Sequence, residues 1–191
     1  MILPDVNVLI YAFRKDLSHH GVCRPWLAAV ISSDSRFGLS PTVLSAVVRI
    51  TTNARAFRMP SAIEEAFGFC EDLLRQPHCQ VVEPGDRHWD IFRRLCIETD
   101  TRGSRVTDAW LAALAIEWGC EWITLDRDYA RFPGLKRKSR SPNRIIGGGQ
   151  GQGLSPGAEL ASGLHWHQHG LIRTHARPGR AQEKGSGAAV S

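Results

Sequence analysis

Apolar positions along residues 1–135 follow two alternating patterns: short continuous runs, then longer stretches with helical spacing. The short runs read as strands and the longer ones as amphipathic helices. "MIL" is a brief strand ended by Pro4, and "VNVLIYAFR" a helix with Asp5 or Asn7 near its cap. "HHGVCRPWLAAVISSD" forms a second helix, started by Pro25. "FGLS" is strand-like, and "PTVLSAVVRITTN" is a helix opened by Pro41 in its first turn. "SAIEEAFGFCEDLLRQ" is a helix capped by Ser61, with Glu64 three residues on as in a capping box. "CQVVEP" is a strand, "DRHWDIFRRLCIET" a helix, and "VTDAWLAALAIEWG" followed by "EWITLD" completes the series. Strands alternating with helices of this length predict an α/β fold: a short parallel sheet with helices on both faces.

The pattern stops near residue 138. The last 56 residues hold 11 of the 18 glycines and tracts such as "GGGQGQG". Such a composition buries too little apolar surface to offset its ordering entropy. The expected organisation is a domain over 1–138 and a Gly-rich basic tail over 139–191, disordered from about residue 140. Charge follows the same division. Residues 1–135 carry 15 Lys/Arg against 17 Asp/Glu, whereas 136–191 carry 9 against 2, so the tail supplies the overall +5. Basicity is therefore no argument that the folded part binds nucleic acid. Cys23, Cys70, Cys79, Cys96 and Cys120 are odd in number and scattered, as expected of buried thiols in a reducing cytoplasm. No apolar run has membrane-spanning length, and "MILPDVNVLIYAF" lacks the features of a secretory leader.

Against this apolar background, acids stand at the ends of buried elements. Asp5 follows the first strand, Asp126 and Asp128 follow the last, and Asp108 heads a helix that is apolar all round. Ligands of open parallel sheets bind beyond the carboxyl ends of the strands. An antiparallel helix does not obviously bring its N-terminus to that edge, so Asp108 is expected to arrive through the loop "TDTRGSR". If the acids converge, repulsion raises at least one pKa unless a cation intervenes. Oxygen donors without cysteine or histidine suit Mg²⁺ or Mn²⁺, which lower the pKa of bound water and assist in-line phosphodiester displacement. Each acid also has a plain role: Asp5 as a cap, Asp108 as a helix-dipole partner, Asp126 and Asp128 as turn formers.

Three segments, "PDVNVLIYAF", "VTDAWLAALAIEWG" and "ITLDRDYARFPGL", resemble the signature segments of PIN-domain ribonucleases, in particular the VapC toxins of toxin–antitoxin pairs. The resemblance runs from the start of the chain to about Leu135. It implies a Mg²⁺-dependent endoribonuclease with Asp5, Asp108 and Asp126 as metal ligands, and Asp128 behind them or as a substitute ligand. Asn7 and Thr124 would orient ligands or water. It also implies an RNA substrate, a cognate VapB-like antitoxin and a homodimer. One departure stands out. The family glutamate of the third helix falls at Ala46, and no acid occurs between Phe37 and Ala62. The alternative is thus a catalytically weakened RNA- or antitoxin-binding module. A phosphoaspartyl phosphatase would need an acid where Asn7 stands, and a receiver domain would need a lysine after a late strand; this chain has neither.

Lesser features have plain readings. His19 and His20 start a solvated helix, and Trp110, Trp118 and Trp122 serve as core or dimer contacts. His165, His167 and His169 form an alternating run in the tail, and Lys136 to Arg144 a solvated basic one. Arg127 and Arg131 are candidates to steer an RNA backbone.

Overall fold

The structure, a computed structural model, describes residues 1–139. The expectations for the Gly-rich tail, its histidine run and Arg140 to Arg144 lie outside the described residues. In chain order the elements are β1 (Ile2–Pro4), α1 (Val6–Phe13), α2 (His20–Ile31), β2 (Phe37–Leu39), α3 (Pro41–Thr51), α4 (Ile63–Leu74) and β3 (Cys79–Val81). There follow α5 (His88–Glu98), α6 (Val106–Glu117), β4 (Glu121–Thr124) and β5 (Arg137–Ser139), with 3₁₀ turns at Gly103–Arg105 and Arg127–Arg131.

The strands form one parallel sheet in the order β3-β2-β1-β4-β5. Parallel neighbours require crossovers, and these are right-handed in nearly every protein. The chain first moves from β1 out to β3, then returns past β1 to β4. This places α1 to α4 on one face and the packed pair α5 and α6 on the other. The direction of travel reverses between β1 and β4, which makes their carboxyl ends the topological switch point.

The core is the apolar set that the pattern marked: Leu3, Leu9, Phe37, Leu39, Val47, Leu111, Leu114 and Trp122 are all buried. Each contributes about 1.5–3 kcal/mol through removal of its side chain from water. Gly38 permits close approach of β2 to the segment after β3, since a Cβ there would lie 2.7 Å from Val82 Cγ2. Of the five cysteines, Cys23, Cys70 and Cys120 are buried as expected, but Cys79 and Cys96 are only partly so. Among the described residues no helix is long and apolar enough to cross a membrane.

Local sequence rules fail at four places. Pro25 lies inside α2, not at its start, because burial of Cys23 and Leu27 against the core overrides the local preference. Ser61 does not cap α4. Its hydroxyl accepts from Arg14 Nη1 at 2.9 Å, and the helix begins after Ala62 with no side-chain cap. Arg14 is the hub of that corner: it also donates to Met59 O, chelates Asp16 and sits 4.0 Å over the Phe57 ring. His19 and His20 are half-buried against α1, not solvated. The His19 ring packs on Tyr11 and His20 Nδ1 lies 3.0 Å from the Tyr11 carbonyl. Finally, Arg137–Ser139 form an edge strand that no apolar pattern announces, although its basic run stays solvent-facing, with Lys136 and Lys138 exposed and Lys138 bonded to Glu121 at 3.0 Å. Lysine on an edge strand discourages pairing with other chains.

Candidate active site

Asp5 is placed by β1. Its backbone N–H donates to Ile123 O at 2.9 Å, which continues the pairing with β4 one residue beyond Pro4. The side chain is buried, at 2% exposure, and both its oxygens are engaged. Oδ1 accepts from the Val6 amide at 2.7 Å, so Asp5 does cap α1. Oδ2 accepts from Thr124 Oγ1 at 2.6 Å and Asn7 Nδ2 at 2.8 Å. Thr124 Oγ1 in turn accepts from Asn7 Nδ2 and the Asp126 amide, and Asn7 Oδ1 accepts from the Leu125 amide. Asn7 and Thr124 therefore tie the carboxylate after β1 to the loop after β4.

Asp108 reaches the same edge by a route opposite to that expected. α6 turns into β4 within Trp118–Cys120, where Gly119 takes φ +63°. A helix that doubles back on its strand begins where the strand ends. The antiparallel arrangement thus delivers Asp108, in the first turn of α6, to the carboxyl edge. Asp126 caps the 3₁₀ turn after β4, its Oδ1 accepting from the Asp128 amide at 2.8 Å. Asp128 has Arg131 beside it, with 3.8 Å between Nη2 and Oδ2.

Crowding of acids shows in their protonation. Asp5 is pushed up to about 7, chiefly by burial. Hydrogen bonds from Thr124 and Val6 oppose the rise, while Asp108 and Asp126 add to it. Asp108 is also raised to about 7, again first by burial, then by Asp126 and Asp128, with Tyr129 and Arg131 pulling it down. Among the described residues no group of three or more His, Cys, Asp or Glu side chains is gathered closely enough to hold a metal ion as it stands. The donor chemistry nevertheless fits a hard divalent cation: oxygen donors from three elements carry more negative charge than Arg131 offsets.

Sequence reasoning missed Tyr129. It is 2% exposed, lies close to Asp5, Asp108 and Asp126, and its acidity is weakened by burial and those charges. The residue stood inside the quoted "DRDYARF", but nothing local says that its ring points inward. Ala46 is buried on α3. Trp122 is core, Trp110 packs on His88 and Phe92 between α5 and α6, and Trp118 donates to Glu83 O while 40% exposed.

The chain as a whole, and not only its acids, matches a known family. Residues 2–135 match the PIN domain. The chain is 41% identical over 136 residues to ribonuclease VapC25 of Mycobacterium tuberculosis, covering 71% of this chain and 96% of that protein. It is 40% identical, with the same coverage, to ribonuclease VapC31 of that organism. Among solved structures, VapBC2 of Rickettsia felis bound to a promoter DNA fragment superposes with a TM-score of 0.56 at 16% identity, covering 72% of this chain and 98% of that one. M. tuberculosis VapC20, a Sarcin-Ricin loop cleaving toxin, superposes with a TM-score of 0.54 at 17% identity, covering 71% and 98%. The chain belongs to the PIN-domain family and, within it, to the VapC ribonucleases.

Proposed function

We propose that this chain is the toxin of a toxin–antitoxin pair, a Mg²⁺-dependent endoribonuclease in which Asp5, Asp108 and Asp126 hold the ion. Mn²⁺ is an acceptable substitute on the same donor chemistry. The observation that carries the reading is the meeting of acids from β1, α6 and the loop after β4, two of them raised to about 7. A bound divalent ion supplies a lowered pKa for coordinated water and charge compensation for phosphodiester oxygens. The chain's own residues do the rest. Thr124 and Asn7 fix the Asp5 carboxylate through both hydroxyl and amide donors. Asp126 caps the turn that carries Asp128, and Arg131 offsets part of the charge that faces Asp108.

The partner expectations fit the surface. α4 leaves Ile63 45%, Phe67 51% and Leu74 40% exposed, on one face at helical spacing. Apolar side chains so arranged suit a protein partner, either an antitoxin segment or a second copy of this chain. The second reading, a weakened binding module, draws on Ala46, because α3 offers no carboxylate. One experiment separates the two. Purified protein is incubated with RNA with and without Mg²⁺, alongside Asp5→Asn. Metal-dependent cleavage that the variant lacks supports the nuclease; RNA retention without cleavage at any Mg²⁺ level supports the binding module.

A further inference from the structure

Side chains alternate along β4, so Glu121, Ile123 and Leu125 share one face of the sheet. The parallel register sets Ile2 beside Glu121 and Lys138 beside Ile123 on that face. From α1 and α2, Val8, Trp26 and Val30 look onto it, the last two one turn apart. Between the layers lies a cavity of about 190 Å³, walled chiefly by Val8, Trp26, Val30, Ile123 and Leu125. It adjoins a cleft of about 580 Å³, with which it shares Ile2, Val30 and Glu121.

The cleft is charged where the cavity is apolar. Arg36 and Lys136 line it, with Ser33 and Ser35 beside them. Both cations are exposed, and among the described residues neither forms an ion pair. Glu121 is the one acid among the lining residues, and it is bonded to Lys138 at 3.0 Å, which leaves Arg36 and Lys136 uncompensated. Asp34 stands in the same loop as Arg36 but lines neither space.

We propose that this paired site binds an aryl acid, a single or fused aromatic ring carrying a carboxylate or a phosphate. The ring occupies the apolar cavity, and the acid group meets Arg36 and Lys136 in the adjoining cleft. The sizes agree, since an apolar cavity of about 150 Å³ accepts a benzene ring. The division into an apolar wall and a few convergent charges is that of small-molecule sites generally. Thr124 forms part of the cavity wall, but none of the clustered acids does, so the site stands apart from the metal reading.

Amide NMR of the full chain, titrated with 1-naphthaleneacetate and with 1-naphthyl phosphate, tests this; 1-naphthaleneethanol is the uncharged control. Both acids should shift amides of α2, β4 and β5 with a Kd of about 1 mM or tighter. The alcohol should bind about tenfold more weakly, having lost two exposed charge contacts. The double variant Arg36→Ala/Lys136→Ala should weaken both acids about tenfold and leave the alcohol unchanged. Val30→Phe fills the cavity and should abolish binding of all three probes, with thermal melting as the check on folding. If that variant does not fold, the charge variant and the alcohol still decide. A stronger response to one acid fixes the head group within the class. The proposal is overturned if neither acid binds the wild type, as when another part of the chain or a second copy covers the cleft. Shifts centred on α4 overturn it as well, as does undiminished binding of the acids by the charge variant or by a folded Val30→Phe.

Discussion

Neutralising Asp5 should make the metal-free protein more stable at alkaline pH, although it removes a site residue. The folded pKa is about 7 against an ordinary 3.8, a rise of about 3 units. At about 1.4 kcal/mol per unit, ionising this carboxyl in the fold opposes stability by up to about 4 kcal/mol. The sign follows from proton uptake. Below the unfolded pKa, near 4, both states hold the proton and nothing is lost. Stability falls as pH rises through the folded value near 7, above which the full penalty stands. Between about pH 5 and pH 8 the wild type should lose about 2–3 kcal/mol from Asp5, and Asp108 adds to this in the same sense.

Asp5→Asn abolishes the Asp5 share of that slope. An amide meets the Val6 N–H as well as a carboxylate does, but it sets an NH₂ against the donors Thr124 and Asn7, at about 1–2 kcal/mol. The variant is therefore expected to trail the wild type slightly near pH 5 and exceed it by about 2 kcal/mol near pH 8. Urea unfolding in EDTA, read by tryptophan fluorescence at several pH values, measures the difference directly. Asp16, whose pKa is lowered by Arg14, and other carboxyls affect both proteins alike and cancel in the comparison. Parallel stability profiles for the two proteins would refute the reasoning, because they would mean that Asp5 is as easily ionised in the fold as out of it.

Asp108→Asn and Asp126→Asn should each lower metal-dependent RNA cleavage by about 100-fold or more, with Asp128→Asn milder; cleavage gels over a Mg²⁺ series decide the order. Thr124→Val deprives Asp5 of its shortest hydrogen bond and should destabilise the metal-free protein by about 1–3 kcal/mol at neutral pH, less in acid, where Asp5 holds its own proton; the same urea assay reads it. A chain ending at Ser139 should keep a single cooperative melt, and loss of cooperativity would mean that residues 140–191 pack on the domain.

The elements that could be read from the sequence are those whose cause is local. α3 begins at Pro41 because a proline at the first helical position gives up a donor the helix does not use. α6 could be placed from its apolar run, and it is the buried partner of α5. β5 was hidden for the opposite reason. "RKS" has no apolar signature, and it becomes a strand only because β4 presents an unpaired edge to it. Ser61 likewise fits a local capping rule that loses to Arg14, a residue 47 positions away. At the site, Asp5, Asp108 and Asp126 could be singled out because acids at the ends of apolar elements stand out, whereas Asn7 and Thr124 could be named only through the resemblance to PIN-domain ribonucleases. Tyr129 could not, since an aromatic residue in an apolar context looks like core, and two of the three acids that act on it, Asp5 and Asp108, come from distant parts of the chain.

The acids at the switch point oppose folding as long as they are unneutralised, and the rest of the fold must outweigh them. Asp5 is held by three donors and still titrates near neutrality, so hydrogen bonding alone does not compensate its burial. The remaining demand is for positive charge, which Arg131, 3.8 Å from Asp128 and also acting on Asp108, meets only in part. Whatever brings a cation to this edge, metal ion or basic side chain of a partner, therefore gains the free energy that the unneutralised cluster withholds from folding. Stability and binding are linked through the same carboxylates. Ligands that raise the melting temperature of the wild type at neutral pH should do so less for Asp5→Asn, and a divalent ion that stabilises both equally would place its binding elsewhere.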